Sequence, residues 1–262
     1  MKIDGSVALV TGASSGIGAA TAVELAKRGA TVVVTARRDA ELEATAKRCQ
    51  EHTAASFAIT GDLGLAGEGD RIVGAAVERL GRVDIVVNNA GISLHRPALG
   101  TSAVDVEHVM RVNFLSAVQT TMAALPGMVE RKRGSVLNIT SVAGYIPNPN
   151  ESAYGASKAA LSLWSHGLAV DLHGTGVHVG VLSPGPIDTP IWEFDETPSS
   201  YKGRKYPPEV VAVGVAKMIE RETVHATVPR RFGAVALMYA LPGLSRMVRR
   251  GLISFERKGG GH

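Results

Sequence analysis

Across the first 190 residues, short β-branched and aliphatic runs alternate with longer amphipathic stretches, and nothing else in the chain restricts its fold so much. The runs are apolar on both sides, as strands buried on both faces must be, while the stretches between them carry one apolar stripe each. Together they make a parallel sheet covered by helices on both faces, a doubly wound α/β architecture. The spacing predicts strands over residues 7–10, 31–35, 56–59, 83–87, 135–139 and 177–182. It predicts helices over 16–28, 39–51, 69–80, 104–130 and 152–174, with a further helix over 208–221 and a last strand within 222–229. Gly29, Gly81 and Gly174 stand where the first, third and fifth helices stop, positions that favour a residue able to take positive φ. Asp39 reads as the N-cap of the second helix. A chain of 262 residues that is 45% hydrophobic can bury one core of this kind, so a single domain is expected. Residues 1–190 are its core, 191–221 a substrate loop and helix, and 222–262 the last strand with a basic C-terminal extension.

The first strand runs directly into Thr11-Gly12-Ala13-Ser14-Ser15-Gly16-Ile17-Gly18, which opens the first helix. A glycine-rich turn between strand and helix is the context in which such a motif binds a dinucleotide. Gly12 permits the tight turn, Gly16 the approach of backbone to a pyrophosphate and Gly18 close packing of helix on strand, while Ser14, Ser15 and Ile17 complete the loop. The second strand ends in Arg37-Arg38, where an NAD site would place a carboxylate for the ribose 2′-hydroxyl; two arginines there point to the 2′-phosphate of NADP(H) rather than to NAD. Asp62-Leu63 after the third strand could cover the adenine, and Asn89-Ala90-Gly91 after the fourth allows backbone close to the cofactor.

Tyr154 and Lys158 lie four residues apart on one predicted helix face. A phenol titrates near pH 10, and an adjacent ammonium stabilises its anion, so the pair can exchange protons closer to neutrality. Ser141, beyond the end of the fifth strand, could polarise or orient a substrate oxygen.

With these motifs in this order over residues 5–190, the sequence resembles the short-chain dehydrogenase/reductase family. The resemblance implies a Rossmann-type fold and hydride transfer between a nicotinamide and a carbonyl or secondary alcohol. It implies that Tyr154 is the general acid/base, that Lys158 lowers its pKa and binds the nicotinamide ribose, and that Ser141 steadies the carbonyl oxygen. Asn113 is implied to hold a water linking the lysine to solvent. Thr140, Pro184 and Gly185 are placed beside the cofactor, and the Ile187 backbone and Thr189 hydroxyl on the nicotinamide carboxamide. The 104–130 and 152–174 helices resemble those that pair subunits as homodimers or homotetramers. A dinucleotide-binding sensor or scaffold without catalysis is the other function considered, although relatives of that kind usually lack the Tyr/Lys pair.

Other classes are disfavoured by what the chain lacks. Cys49 is the single cysteine, so no intrachain disulfide can form, and the histidines show no metal-ligand spacing. With no secretion signal in view, a reducing, cytoplasmic setting is expected. Residues 198–262 carry 12 Lys/Arg against 4 Asp/Glu, yet no aromatic platform or DNA-reading helix accompanies them, so nucleic acid is not expected as a partner. The apolar stretch from Phe232 to Leu241 is too short to span a bilayer, though 232–262 could touch a membrane surface. Tails of this kind occur in family members acting on lipophilic carbonyls, which tilts the expected substrate towards apolar molecules.

Overall fold

The computed structural model describes residues 1–193, 201 and 203–233. Seven strands, β1 (Val7–Thr11), β2 (Thr31–Ala36), β3 (Phe57–Thr60), β4 (Ile85–Asn88), β5 (Gly134–Ile139), β6 (Val177–Pro184) and β7 (His225–Val228), form one sheet in the order β3-β2-β1-β4-β5-β6-β7. Every pairing is parallel. The helices are α1 (Gly16–Lys27), α2 (Asp39–Gln50), α3 (Glu68–Leu80), α4 (Ala103–Met110), α5 (Ser116–Glu130), α6 (Ser152–Asp171) and α7 (Glu209–Arg221).

Alternate strand residues feed two cores. Ala8, Val10, Val32 and Val34 pack against Leu25 of α1, Leu42 of α2 and Ile219 of α7. Leu9, Val33, Val86 and Val136 pack on the other face against Ile72 of α3, Met128 of α5 and Leu168 of α6. Complete burial of such side chains contributes about 1.5–3 kcal/mol each, which is why β1 and β4, in the middle of the sheet, are apolar along both faces. The chain winds outward from β1 to β3 and then restarts at β4 on the other side of β1. That reversal opens a crevice at the carboxyl ends of β1 and β4, where open α/β sheets bind ligands.

Gly29, Gly81 and Gly174 take φ of +87°, +79° and +80°, as their places at helix ends require. Two expectations need correction. The stretch 104–130 is not one regular helix, because Arg111–Leu115 forms a π-helical turn between α4 and α5. The wider turn accompanies a completely buried polar side chain, Asn113, whose amide reaches inward to Ile92 and Ser157. Asp39 is not the N-cap either: Arg38 occupies that position, and the Asp39 carboxylate accepts a hydrogen bond from Thr60 on β3.

Candidate active site

A cavity of about 1100 Å³ lies over the carboxyl ends of the strands. Its floor at one end is the glycine-rich loop. Gly12 has φ +65° and Gly16 φ +56°; a Cβ on Gly12 would stand 2.8 Å from the Ala90 Cα, and one on Gly16 would stand 3.0 Å from the Thr189 methyl. At Gly18, which lies behind the cavity wall, a Cβ would collide with the Gly12 carbonyl. Ser15 is the N-cap of α1, but its hydroxyl accepts from none of the helix's first amides, and no acidic residue stands in the first turn, so the N-terminal dipole faces the cavity uncompensated by a carboxylate of that turn. A backbone cradle that side chains would fill, set at a positive helix end, fits a pyrophosphate, and therefore a dinucleotide.

Around this cradle stand the other residues expected to hold the cofactor. Ser14, Ser15, Ile17, Arg37, Arg38, Asp62, Leu63, Asn89, Ala90 and Gly91 all line the cavity. Arg38 reaches back across the loop, donating to the hydroxyls of Ser14 (3.1 Å) and Ser15 (2.7 Å) and pairing with Glu41 at 3.3 Å. The Asn89 amide donates to the carbonyls of Thr11 and Gly12 at 3.0 and 3.2 Å, so its side chain fixes the loop's shape. Asp62 accepts from the Gly64 amide at 2.9 Å, ordering its own turn.

The chemical end is built from β5, α6 and the loop after β6. Ser141, Tyr154 and Lys158 line the same cavity, as do Thr140, Pro184, Gly185, Ile187 and Thr189. Lys158 is 4% exposed; its Nζ donates to the Ile139 carbonyl at 3.1 Å and lies 5.8 Å from the Tyr154 ring centre. No ion pair reaches it among the described residues, and burial pushes its ammonium down to about 8. Asn113 stands behind the wall rather than on it. Its Nδ2 donates to the Ile92 carbonyl (2.9 Å) and to Ser157 Oγ (3.0 Å), and its Oδ1 accepts from the Ile92 amide (2.8 Å). Ser157 in turn donates to the Tyr154 carbonyl at 2.7 Å, so the π-turn is bound to the start of α6. A Cβ at Gly91 would meet both Asn113 Oδ1 and Lys158 Nζ at 3.3 Å, which puts these two side chains on one small residue. The Thr140 hydroxyl turns away from the cavity to the Leu182 carbonyl and Ser183.

Much of the rest of the wall is apolar, with Val142, Ile146, Pro149, Pro186, Ile191 and Phe232, and Tyr201 also lines it. Four polar residues to which the sequence assigned no chemistry, Ser93, His95, Asn148 and Glu151, also line it, and His95 is only 4% exposed. The available signal for His95 was its place four residues after Gly91, in the loop at the carboxyl end of β4. Among the described residues no group of three or more His, Cys, Asp or Glu side chains could hold a metal ion.

The short chain dehydrogenase family model matches residues 6–199. The chain is 33% identical to the ketoacyl reductase HetN of Nostoc over 227 residues, which cover 86% of this chain and 79% of that protein. Among solved structures, a short-chain dehydrogenase from Sphingobium yanoikuyae in complex with NADPH superposes with a TM-score of 0.79 at 27% identity, covering 95% of each chain. A short chain dehydrogenase/reductase from Burkholderia phymatum in complex with NAD has a TM-score of 0.84 at 24% identity, covering 91% of this chain and 94% of that one, and shares the fold. By its matched family model and by a relative of this identity and coverage, the chain belongs to the short-chain dehydrogenase family of oxidoreductases.

Proposed function

We propose that this protein is an NADP(H)-dependent enzyme that interconverts a lipophilic ketone and its secondary alcohol. The observation that carries the reading is the convergence of Ser141, Tyr154 and Lys158 with the glycine-rich cradle on one cavity. When bound, the nicotinamide gives or takes one hydride at the substrate carbon. In reduction the Tyr154 O–H bond breaks and its proton passes to the carbonyl oxygen; in oxidation the phenolate takes the alcohol proton back. Lys158, charged below about pH 8 although burial disfavours that form, stabilises that phenolate and binds the ribose, while Ser141 donates to the substrate oxygen. Asn113 holds the Ile92 backbone and the start of α6 in place around the lysine, beside which it would seat the water that connects Lys158 to solvent.

The cofactor choice rests on this chain's own residues, since its structural neighbours include both an NAD and an NADPH complex. Arg37 and Arg38 line the cavity at the end of β2; of the acids beside them, Asp39 is engaged with Thr60, while Glu41 pairs with Arg38. A charge-assisted phosphate contact is worth about 1.5–3 kcal/mol. Arg37→Asp is therefore expected to raise the Kd for NADPH at least tenfold and to leave that for NADH within about threefold, as read by nicotinamide fluorescence titration. Equal losses for the two nucleotides would remove the NADP(H) assignment.

The apolar wall favours a substrate with a hydrocarbon body. We also infer that the protein self-associates, as a dimer or tetramer, through α5 and α6. Leu115 at the end of the π-turn and Met122 on α5 stand seven residues apart, as do Leu163 and Val170 on α6; they are 43%, 52%, 76% and 75% exposed, and Phe114 packs edge-on to Trp164. Leu163→Glu should lower the mass found by analytical ultracentrifugation; an unchanged mass would refute this face. The suggested membrane contact through 232–262 falls, from residue 234 onward, outside the described residues. Among those described, no helix is long and apolar enough to cross a membrane.

A further inference from the structure

Ser141 can act on a substrate oxygen only if its hydroxyl is held in place, and its own segment offers little to hold it. It stands at the start of a single 3-10 turn, Val142–Gly144, and its side chain caps that turn by accepting from the Ala143 amide at 3.1 Å. The turn lies directly on α6. A Cβ at Gly144 would stand 3.0 Å from the Ala159 nitrogen, and one at Gly155 would stand 2.8 Å from the Ala143 carbonyl oxygen. Such contact fixes the height of the turn above the helix and leaves its sideways position to other groups.

Both flanks of Ser141 run into one polar cluster on the side of the turn away from the cavity. On the following flank, the Tyr145 hydroxyl meets Ser162 Oγ at 2.5 Å, one helical turn beyond Lys158. The Tyr145 ring stacks on His225 of β7, with centroids 5.7 Å apart and planes at 24°. On the preceding flank, Thr140 Oγ1 meets Ser183 Oγ at 2.8 Å, and Ser183 lies 3.5 Å from the Tyr145 hydroxyl. Tyr145, Ser162, Ser183 and His225 are all absent from the cavity wall, so none of them acts on a substrate by direct contact.

We infer that Tyr145 is a positioning residue for the reaction, its phenol fastening the turn that carries Ser141 to the same helix that carries Tyr154 and Lys158. The inference rests on the proposed role of Ser141. It sets both the substrate-oxygen donor and the proton donor by one element, α6, and misplacement by a fraction of an ångström is enough to slow a reaction that depends on alignment.

A double-mutant cycle tests it, with NADPH and whichever ketone of a panel the wild-type protein reduces fastest. Tyr145→Phe keeps the ring and its stack but loses the hydroxyl's tie to Ser162 and its longer contacts with Ser183 and His225, each at 3.5 Å; it is expected to lower kcat about tenfold, with the Kd for NADPH unchanged. Ser162→Ala, which cuts the same tie from the helix side, should do likewise. Ser141→Ala is expected to lower kcat about 10²-fold, and in that background Tyr145→Phe should cost nothing further. Thermal melts and NADPH binding establish that each variant is folded. Wild-type kcat in both Tyr145→Phe and Ser162→Ala, or a full further tenfold loss in the Ser141→Ala background, would overturn the positioning role alone. Undiminished turnover in Ser141→Ala itself would overturn the role of Ser141 and this inference with it.

Discussion

Tyr154→Phe is expected to lower kcat for ketone reduction by about 10²–10⁴-fold while leaving the Kd for NADPH within roughly threefold of wild type. The split follows from what the substitution removes. Phenylalanine keeps the ring against which Lys158 Nζ lies at 5.8 Å, and leaves untouched the glycine cradle and arginines that face the nucleotide. It deletes only the O–H bond whose proton goes to the substrate oxygen. Loss in kcat with binding preserved marks an interaction made in the transition state, whereas a fall in nucleotide affinity of the same size would mean that Tyr154 holds the cofactor rather than moving a proton.

Lys158→Met should inactivate the protein to a similar degree and, measured without nucleotide, make it more stable. Burial lowers the Lys158 pKa from 10.5 to about 8, with no opposing acid among its causes. The folded state thus binds fewer protons than the unfolded chain between those two values, and stability rises with pH across that window. Below pH 8 the full cost of the buried charge, on the order of 3 kcal/mol, is present. Methionine fills the same space without the charge, although it leaves the Ile139 carbonyl without this donor. A net gain of about 1–2 kcal/mol at pH 7 is expected, seen as a rise in Tm of several degrees that disappears above pH 10. The wild-type kcat/KM should correspondingly fall as pH rises through about 8, where the free protein's ammonium is lost. A lower Tm for Lys158→Met at pH 7, together with a flat alkaline profile, would contradict this reading of the lysine.

The parts of the molecule that were legible in the sequence are those written in local pattern. Gly12, Gly16 and Gly18 announce a turn whose φ values and close contacts only glycine meets, and Tyr154 and Lys158 meet because one helical turn separates them. Six of the strands follow from apolar runs, with ends within two residues of those expected, and the seventh starts three residues after the start of the 222–229 stretch, because periodicity does not say where a ladder stops. Features that depend on distant partners were not legible. The π-turn at Arg111–Leu115 hides inside an apolar period that a regular helix fits equally well, and its cause, Asn113 reaching Ile92 and Ser157, is tertiary. Asp39 has the composition of a cap, yet Thr60 from β3 takes its carboxylate. His95 and Glu151 reach the cavity wall from two separate loops, and no spacing along the chain brings them together.

The most direct measurement is turnover itself: nicotinamide absorbance followed over a panel of ketones of graded apolar size, with NADPH and with NADH. Oxidation of NADPH by at least one apolar ketone, matched mole for mole by the alcohol formed and slower with NADH, is the result expected of this site. Tight NADPH binding with no ketone reduced and no alcohol oxidised would contradict it, and would leave a dinucleotide-binding protein whose Tyr154 and Lys158 carry out no chemistry.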